Sequence, residues 1–212
     1  MTFPFMPIVQ SALPTPVVTF CGSADNFPSS MTSLGADDPN RFLVITRSSG
    51  SSTADSITCT VGGVSQTVWY PQSSGAVTAN TTGYAQFVIV SVPTGTSVVT
   101  SATGNTGGKT AWYTVTGLGG SVPYNGRVNA GNPASGSVTM IENGIVFASL
   151  YSDNDNYSFT WSSPLIRTVN DTSLGASRGA SMAYRSDTSS GAYTVSASMG
   201  VGTMYMGAIV LR

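Results

Sequence analysis

Phe42-Leu43-Val44-Ile45 and, later, Gly144-Ile145-Val146-Phe147-Ala148 are short apolar strands that each open a similar series of strands. In the first series Ser56-Ile57-Thr58-Cys59-Thr60-Val61 and Gln66-Thr67-Val68-Trp69-Tyr70 follow. Ala85-Gln86-Phe87-Val88-Ile89-Val90, a Pro93-Thr94-Gly95-Thr96 turn, Ser97-Val98-Val99-Thr100 and Ala111-Trp112-Tyr113-Thr114-Val115 complete it. The second series runs through Ser158-Phe159-Thr160-Trp161, Leu165-Ile166-Arg167-Thr168-Val169 and Ala180-Ser181-Met182-Ala183-Tyr184-Arg185. It ends on Tyr193-Thr194-Val195-Ser196 and Met206-Gly207-Ala208-Ile209-Val210-Leu211. Matching strands lie roughly 95 to 100 residues apart, about one small domain.

Gly and Ser clusters at Ser48-Ser49-Gly50, Gly62-Gly63, Ser73-Ser74-Gly75 and Gly119-Gly120 punctuate these strands, and no window shows helical spacing. Close-spaced short strands predict an all-β protein: two tandem β-sandwich modules, jelly-roll or Ig-like, with an extended N-terminal arm. The boundaries are an arm at 1–36, a first module at 37–118, a linker at 119–136 and a second module at 137–212. One continuous jelly-roll is the architectural alternative.

The arm carries four prolines by Pro16 and the apolar Phe3, Phe5, Met6, Ile8 and Val9. Leaving such side chains in water forgoes roughly 1.5–3 kcal/mol of burial apiece. The arm is therefore expected to lie across its own module or, as the favoured reading, to dock on another subunit.

Charged residues make up 8% of the chain, net charge is −1, and Lys109 is the single lysine. Phosphate neutralisation needs clustered Lys and Arg, so nucleic acid is not an expected partner. No run approaches the roughly 18 continuous apolar residues of a membrane span, and Met1-Thr2-Phe3-Pro4-Phe5-Met6-Pro7 lacks the basic start of a signal peptide. Near-zero charge gives little self-repulsion and suits a subunit that packs against neighbours. Cys59 alternates with Ile57 and Val61 and is read as a small core hydrophobe; a Cys21–Cys59 disulfide is the alternative.

The chain contains no histidine, which removes the commonest general base and both Ser-His-Asp and Cys-His nucleophilic systems. Most of the acids, Asp25, Asp37, Asp38, Asp55, Glu142, Asp153, Asp155, Asp171 and Asp187, sit beside Gly, Ser, Asn or Pro and read as turn residues. No catalytic, cofactor-binding or metal-ligating residue is expected. Asp153-Asn154-Asp155-Asn156 is the densest oxygen run and the one calcium candidate, but it lacks the EF-hand register and reads as a hairpin tip. Gly104 to Thr110 ends in Gly-Lys-Thr, yet Thr103 stands where a phosphate loop needs glycine and a strand follows. Trp69, Trp112 and Trp161 read as packing residues, while Tyr70, Tyr113, Tyr124, Tyr151 and Tyr157 are candidate contact residues on loops or outer faces.

Three short patterns carry a resemblance: Asp37-Asp38-Pro39-Asn40-Arg41 entering Phe42-Leu43-Val44-Ile45, the Val61-Gly62-Gly63-Val64 turn, and Val92-Pro93-Thr94-Gly95-Thr96. Together they resemble a family of small β-rich proteins encoded among virion structural genes of tailed bacteriophages and prophages. The likeness covers about residues 36 to 118; the second half joins it only through the repeat. It implies a non-enzymatic virion component (capsid decoration, neck, tail or fibre) made in the host bacterial cytoplasm, with other virion proteins and itself as partners. A carbohydrate-binding adhesin that contacts host surface glycans is the alternative function.

Overall fold

The computed structural model describes residues 15–50, 55–70, 78–79, 83–103, 107–118, 130–153, 158–162, 164–171, 179–186 and 189–212. Among these residues there is no helix, so none long and apolar enough to cross a membrane. The strands of the first half are β1 (Val17–Asp25), β2 (Ser30–Met31), β3 (Phe42–Ser49), β4 (Ile57–Val61) and β5 (Val64–Gln66). They continue as β6 (Val68–Trp69), β7 (Thr78–Ala79), β8 (Tyr84–Ser91), β9 (Val98–Ala102) and β10 (Gly108–Thr116). The second half holds β11 (Ala130–Gly131), β12 (Ala134–Met140), β13 (Ile145–Ser152), β14 (Thr160–Trp161), β15 (Ile166–Asp171), β16 (Gly179–Ser186), β17 (Gly191–Ser198) and β18 (Met204–Leu211).

All pairings are antiparallel and form four sheets, none closed into a barrel. The first outer sheet runs β2-β9-β4-β5 and the first inner sheet β1-β10-β3-β8-β6, with β7 also on β8. The second inner sheet runs β11-β18-β13-β16-β15 and the second outer sheet β12-β17-β14. The Gly62-Gly63 pair, both at positive φ, closes the β4–β5 hairpin between Val61 and Val64. Two successive left-handed residues match the twist of paired strands, and glycine adopts them without strain.

Three hydrophobic clusters glue these sheets face to face. Leu43, Ile45, Val88, Val90 and Trp112 of the first inner sheet pack against Met31, Ile57, Cys59 and Val98 of the first outer sheet. The other face of that inner sheet, with Val44, Phe87, Ile89, Ala111, Tyr113 and Val115, meets Ile145, Phe147, Met182, Ile209 and Leu211 of the second inner sheet. Beyond it Val146, Ala148, Leu150, Met206 and Val210 face Val138, Met140, Trp161, Val195 and Ala197 of the second outer sheet. The order of layers is therefore outer, inner, inner, outer. A strand in an inner sheet buries both faces and reads as a continuous apolar run, whereas a half-exposed strand alternates. Hence β8, β13 and β18 are buried along almost their whole length, while β17 alternates.

The two halves repeat one topology. Reading β1, β10, β3, β8 and β6 as counterparts of β11, β18, β13, β16 and β15 reproduces the inner-sheet order, and β2-β9-β4 corresponds to β12-β17-β14. The central contact is reciprocal: β3 lies on β13, its own counterpart, while β8 lies on β18 and β10 on β16. Such an exchange of i-with-j and j-with-i is the mark of a twofold relation. Two hydroxyl contacts cross the same interface, Ser48 Oγ to Ser149 Oγ at 2.5 Å and Tyr113 Oη to Thr168 Oγ1 at 2.7 Å.

Phe3, Phe5, Met6, Ile8 and Val9 lie outside the described residues. Of the remainder of 1–36, Val17–Asp25 is the edge strand of the first inner sheet, bulged between Phe20 and Gly22, and Ser30–Met31 pairs with β9. Within 119–136, residues 119–129 are outside the description, and Ala130–Gly131 and the start of β12 belong to sheets.

Candidate functional site

Two of the patterns behind the resemblance meet in space at Arg41. Its guanidinium is buried and donates to the carbonyl oxygens of Val92 (2.8 Å), Leu34 (3.0 Å), Gly35 (3.0 Å), Ala36 (2.5 Å) and Gly95 (2.5 Å). Asp37 Oδ1 accepts the Gly95 N–H at 2.8 Å, and the Asp38 N–H donates to the Pro93 carbonyl at 3.0 Å. Asp38 Oδ1 accepts the Asn40 N–H at 2.7 Å, turning the chain into β3. Gly95 sits at φ +84, a conformation that suits glycine, so its amide and carbonyl can serve both partners. The Asp-Asp-Pro-Asn-Arg step and the Val-Pro-Thr-Gly-Thr turn thus form one hydrogen-bonded clamp. A rigid planar fork with five donors is the side chain suited to gathering several carbonyls, which lysine is not.

A second buried arginine heads an ionic cluster at the far end of β3. Arg47 Nε donates to Asp55 Oδ2 at 2.7 Å and to Tyr84 Oη at 3.1 Å, and Nη1 donates to Thr110 Oγ1 at 2.9 Å. Tyr84 Oη donates to the same Asp55 oxygen at 2.7 Å, Gln86 Nε2 donates to the Asp55 backbone carbonyl at 2.7 Å, and the guanidinium stands 5.6 Å from the centre of the Phe27 ring. Arg47 shares its sheet face with Leu43 and Ile45, so the charge sits in the wall of the first core. A carboxylate with this much donation, in a site without solvent access, is held in place rather than offered to a substrate. Arg47 is the feature that sequence reading missed. Its one trace is a charged residue at a core-facing step of β3.

Two of the remaining described acids are also engaged in local structure. Asp25 pairs with Lys109 at 2.7 Å across the end of the β1–β10 ladder, and Asp153 Oδ1 accepts the Thr203 N–H at 3.2 Å. Asp37, Asp38 and Asp153 act as turn and loop acceptors, as their neighbours suggest. Asp55 does not, because it is buried against Arg47. Asp155 and Asp187 lie outside the described residues, and among those described no three His, Cys, Asp or Glu side chains converge on a metal position. Cys59 is buried in the first core, where loss of solvent pushes its thiol up to about 11; both cysteines are free.

The aromatic residues divide differently from the alternation rule. Trp112 and Trp161 are buried in the first and last clusters, but Tyr113 and Tyr151 are buried as well. Adjacent Trp112 and Tyr113 point to opposite faces of a sheet covered on both sides, so both disappear from solvent. Burial raises the Tyr113 hydroxyl well above the usual phenol range, opposed in part by its hydrogen bond with Thr168. Tyr70 is half-buried and hydrogen-bonded to Ile57, its hydroxyl 2.7 Å from the Ile57 N–H; Tyr124 and Tyr157 are outside the described residues. Trp69, on the edge strand β6, is 48% exposed and stacks on Phe42 with ring centres 6.5 Å apart.

On the opposite edge of the inner pair, between β1 and β15, the stack opens into a groove of about 520 Å³. It is lined by Pro16, Val17, Val18, Pro164, Ile166, Tyr184, Arg185 and Ser186. No protein-family model matches this chain, and comparisons with curated proteins and with solved structures return no match.

Proposed function

We propose that this chain is a non-enzymatic structural component of a tailed bacteriophage virion, serving as a capsid decoration, neck, tail or fibre subunit. In this reading it consists of two tandem β-sandwich modules with an N-terminal arm and assembles with other virion proteins and with itself. The observation that carries the proposal is the fate of the chemically capable side chains. Arg41, Arg47, Asp37, Asp38 and Asp55 are tied into contacts that hold loops and strands, and the two resemblance patterns form one such contact. A body made rigid in this way, with few surface charges, suits repeated packing against neighbours. Mass spectrometry of purified particles should find the chain in stoichiometric copies, and its absence from them would overturn the proposal.

Trp69 supports a second reading, a carbohydrate-binding adhesin. A half-exposed indole braced by Phe42 offers a flat apolar face on which a sugar ring can stack. Glycan-array binding that disappears in Trp69→Ala would favour it over the structural role alone; no binding to host surface polysaccharides would remove it.

A further inference from the structure

The groove between β1 and β15 has apolar lips that the fold leaves in water: Val17 is 60% and Ile166 54% exposed. Its volume is that of a small-ligand pocket, and five of its eight lining residues, Pro16, Val17, Val18, Pro164 and Ile166, are apolar. An apolar chain segment fits such a lining better than a small polar molecule does.

The sequence supplies a segment of that kind at the groove itself. Pro16 lines it, and Phe3, Phe5, Met6, Ile8 and Val9 lie seven to thirteen residues earlier, with no charged residue between them and Pro16. Only the six residues Gln10 to Thr15 separate that segment from Pro16 and the groove of its own chain. Gln10-Ser11-Ala12-Leu13-Pro14-Thr15 contains no Gly, Asn or Asp to take the left-handed positions of a tight hairpin. Leu13 and Thr15 each precede proline, which favours extended backbone, and Pro14 and Pro16 have no N–H to donate to a hairpin neighbour. The same stretch is well suited to carrying residues 3–9 away from its own body.

We propose that the β1–β15 groove is the seat of residues 3–9 from a second copy of this chain, so that copies associate by exchanging arms. The inference rests on the assembly reading above and specifies its contact. Because the donor segment and the groove are different surfaces, each copy can give and receive at once.

The test uses full-length chains in sedimentation velocity over a range of concentrations. The unmodified chain should associate reversibly. Ile166→Asp, with a defective groove, should associate about tenfold to hundredfold more weakly, the loss of one buried large side chain, and Phe3→Asp/Phe5→Asp, with a defective arm, about a hundredfold or more, the loss of two. Mixing the two variants should restore a heterodimer through the one intact arm and the one intact groove. Val17→Asp serves as a second groove variant, and circular dichroism shows whether each variant keeps the strand content of the parent. A monomeric unmodified chain, undiminished association in either folded variant, or failure of the folded variants to complement each other would overturn the proposal. Arm docking within one chain gives the first or last of these results. Stoichiometric presence in particles alongside any of them would leave the virion reading standing and remove this contact alone.

Discussion

Removing the Asp55 carboxylate leaves the Arg47 guanidinium buried with no other acid among the described residues to neutralise it. Breaking one side of a buried pair costs roughly 3–5 kcal/mol, whereas replacing both partners by apolar groups costs much less. Asp55→Ala should therefore lower the urea midpoint more than the double variant Arg47→Met/Asp55→Ala does, a non-additivity that a double-mutant cycle reads directly. The cysteines provide a second check at this scale. Cys21 is half-exposed on the β1 edge and Cys59 is buried, so a thiol reagent should label one cysteine in the native chain and both in denaturant. With the Cys59 thiol raised to about 11, the folded chain keeps a proton that the unfolded chain releases from about pH 8.5. The unfolded state then binds fewer protons, so stability falls as pH rises from that point towards 11. The stability difference between the parent and Cys59→Ala should shrink over this interval.

At the scale of elements, the inner and outer strands were written differently in the chain. Phe42-Leu43-Val44-Ile45 and Phe87-Val88-Ile89-Val90 are unbroken apolar runs because both faces of their sheet are covered, while Ile57-Thr58-Cys59-Thr60-Val61 alternates because its sheet has one open face. The strands from Phe42 to Val115, the Gly62-Gly63 hairpin and the burial of Cys59 were legible from the sequence; β1, in the stretch read as an arm, and the start of β12, in the stretch read as a linker, were not. The burial of Tyr113 and Tyr151 was not, because period-two reasoning assigns one face of each strand to solvent and says nothing of a second sheet stacked on it. Nor was the Arg41 clamp, since the residues it joins, 34–36 and 92–95, are separated in sequence by the whole of β3 to β8. The edge strand β6 carries the prediction that belongs here. Trp69 should account for most of the acrylamide-accessible tryptophan emission, and Trp69→Phe should leave a blue-shifted, poorly quenched spectrum from the buried Trp112 and Trp161.

At the scale of the whole molecule, the shared cluster between the inner sheets decides cooperativity. Phe147 packs its ring 5.1 Å from that of Tyr113, and truncation of a buried phenylalanine costs about 3–5 kcal/mol. Phe147→Ala should lower the thermal midpoint of both halves together, as one calorimetric transition and not two. Residues 130–212 expressed without the first half would expose Ile145, Phe147, Met182, Ile209 and Leu211 to water, and should bind a hydrophobic dye or aggregate. A fragment that is soluble, monomeric and dye-negative would show that this contact is dispensable.

The reciprocal packing of β3, β8 and β10 on β13, β18 and β16 has a consequence for growth. A face that mates with its own counterpart is self-terminating: once two copies have met, that face is used up. Here the meeting takes place inside one polypeptide, which commits the pairing permanently and makes it independent of concentration. Any larger assembly must therefore propagate from the rims and the two outer sheets, so the chain enters it as a pre-paired building block with its symmetric contact already closed.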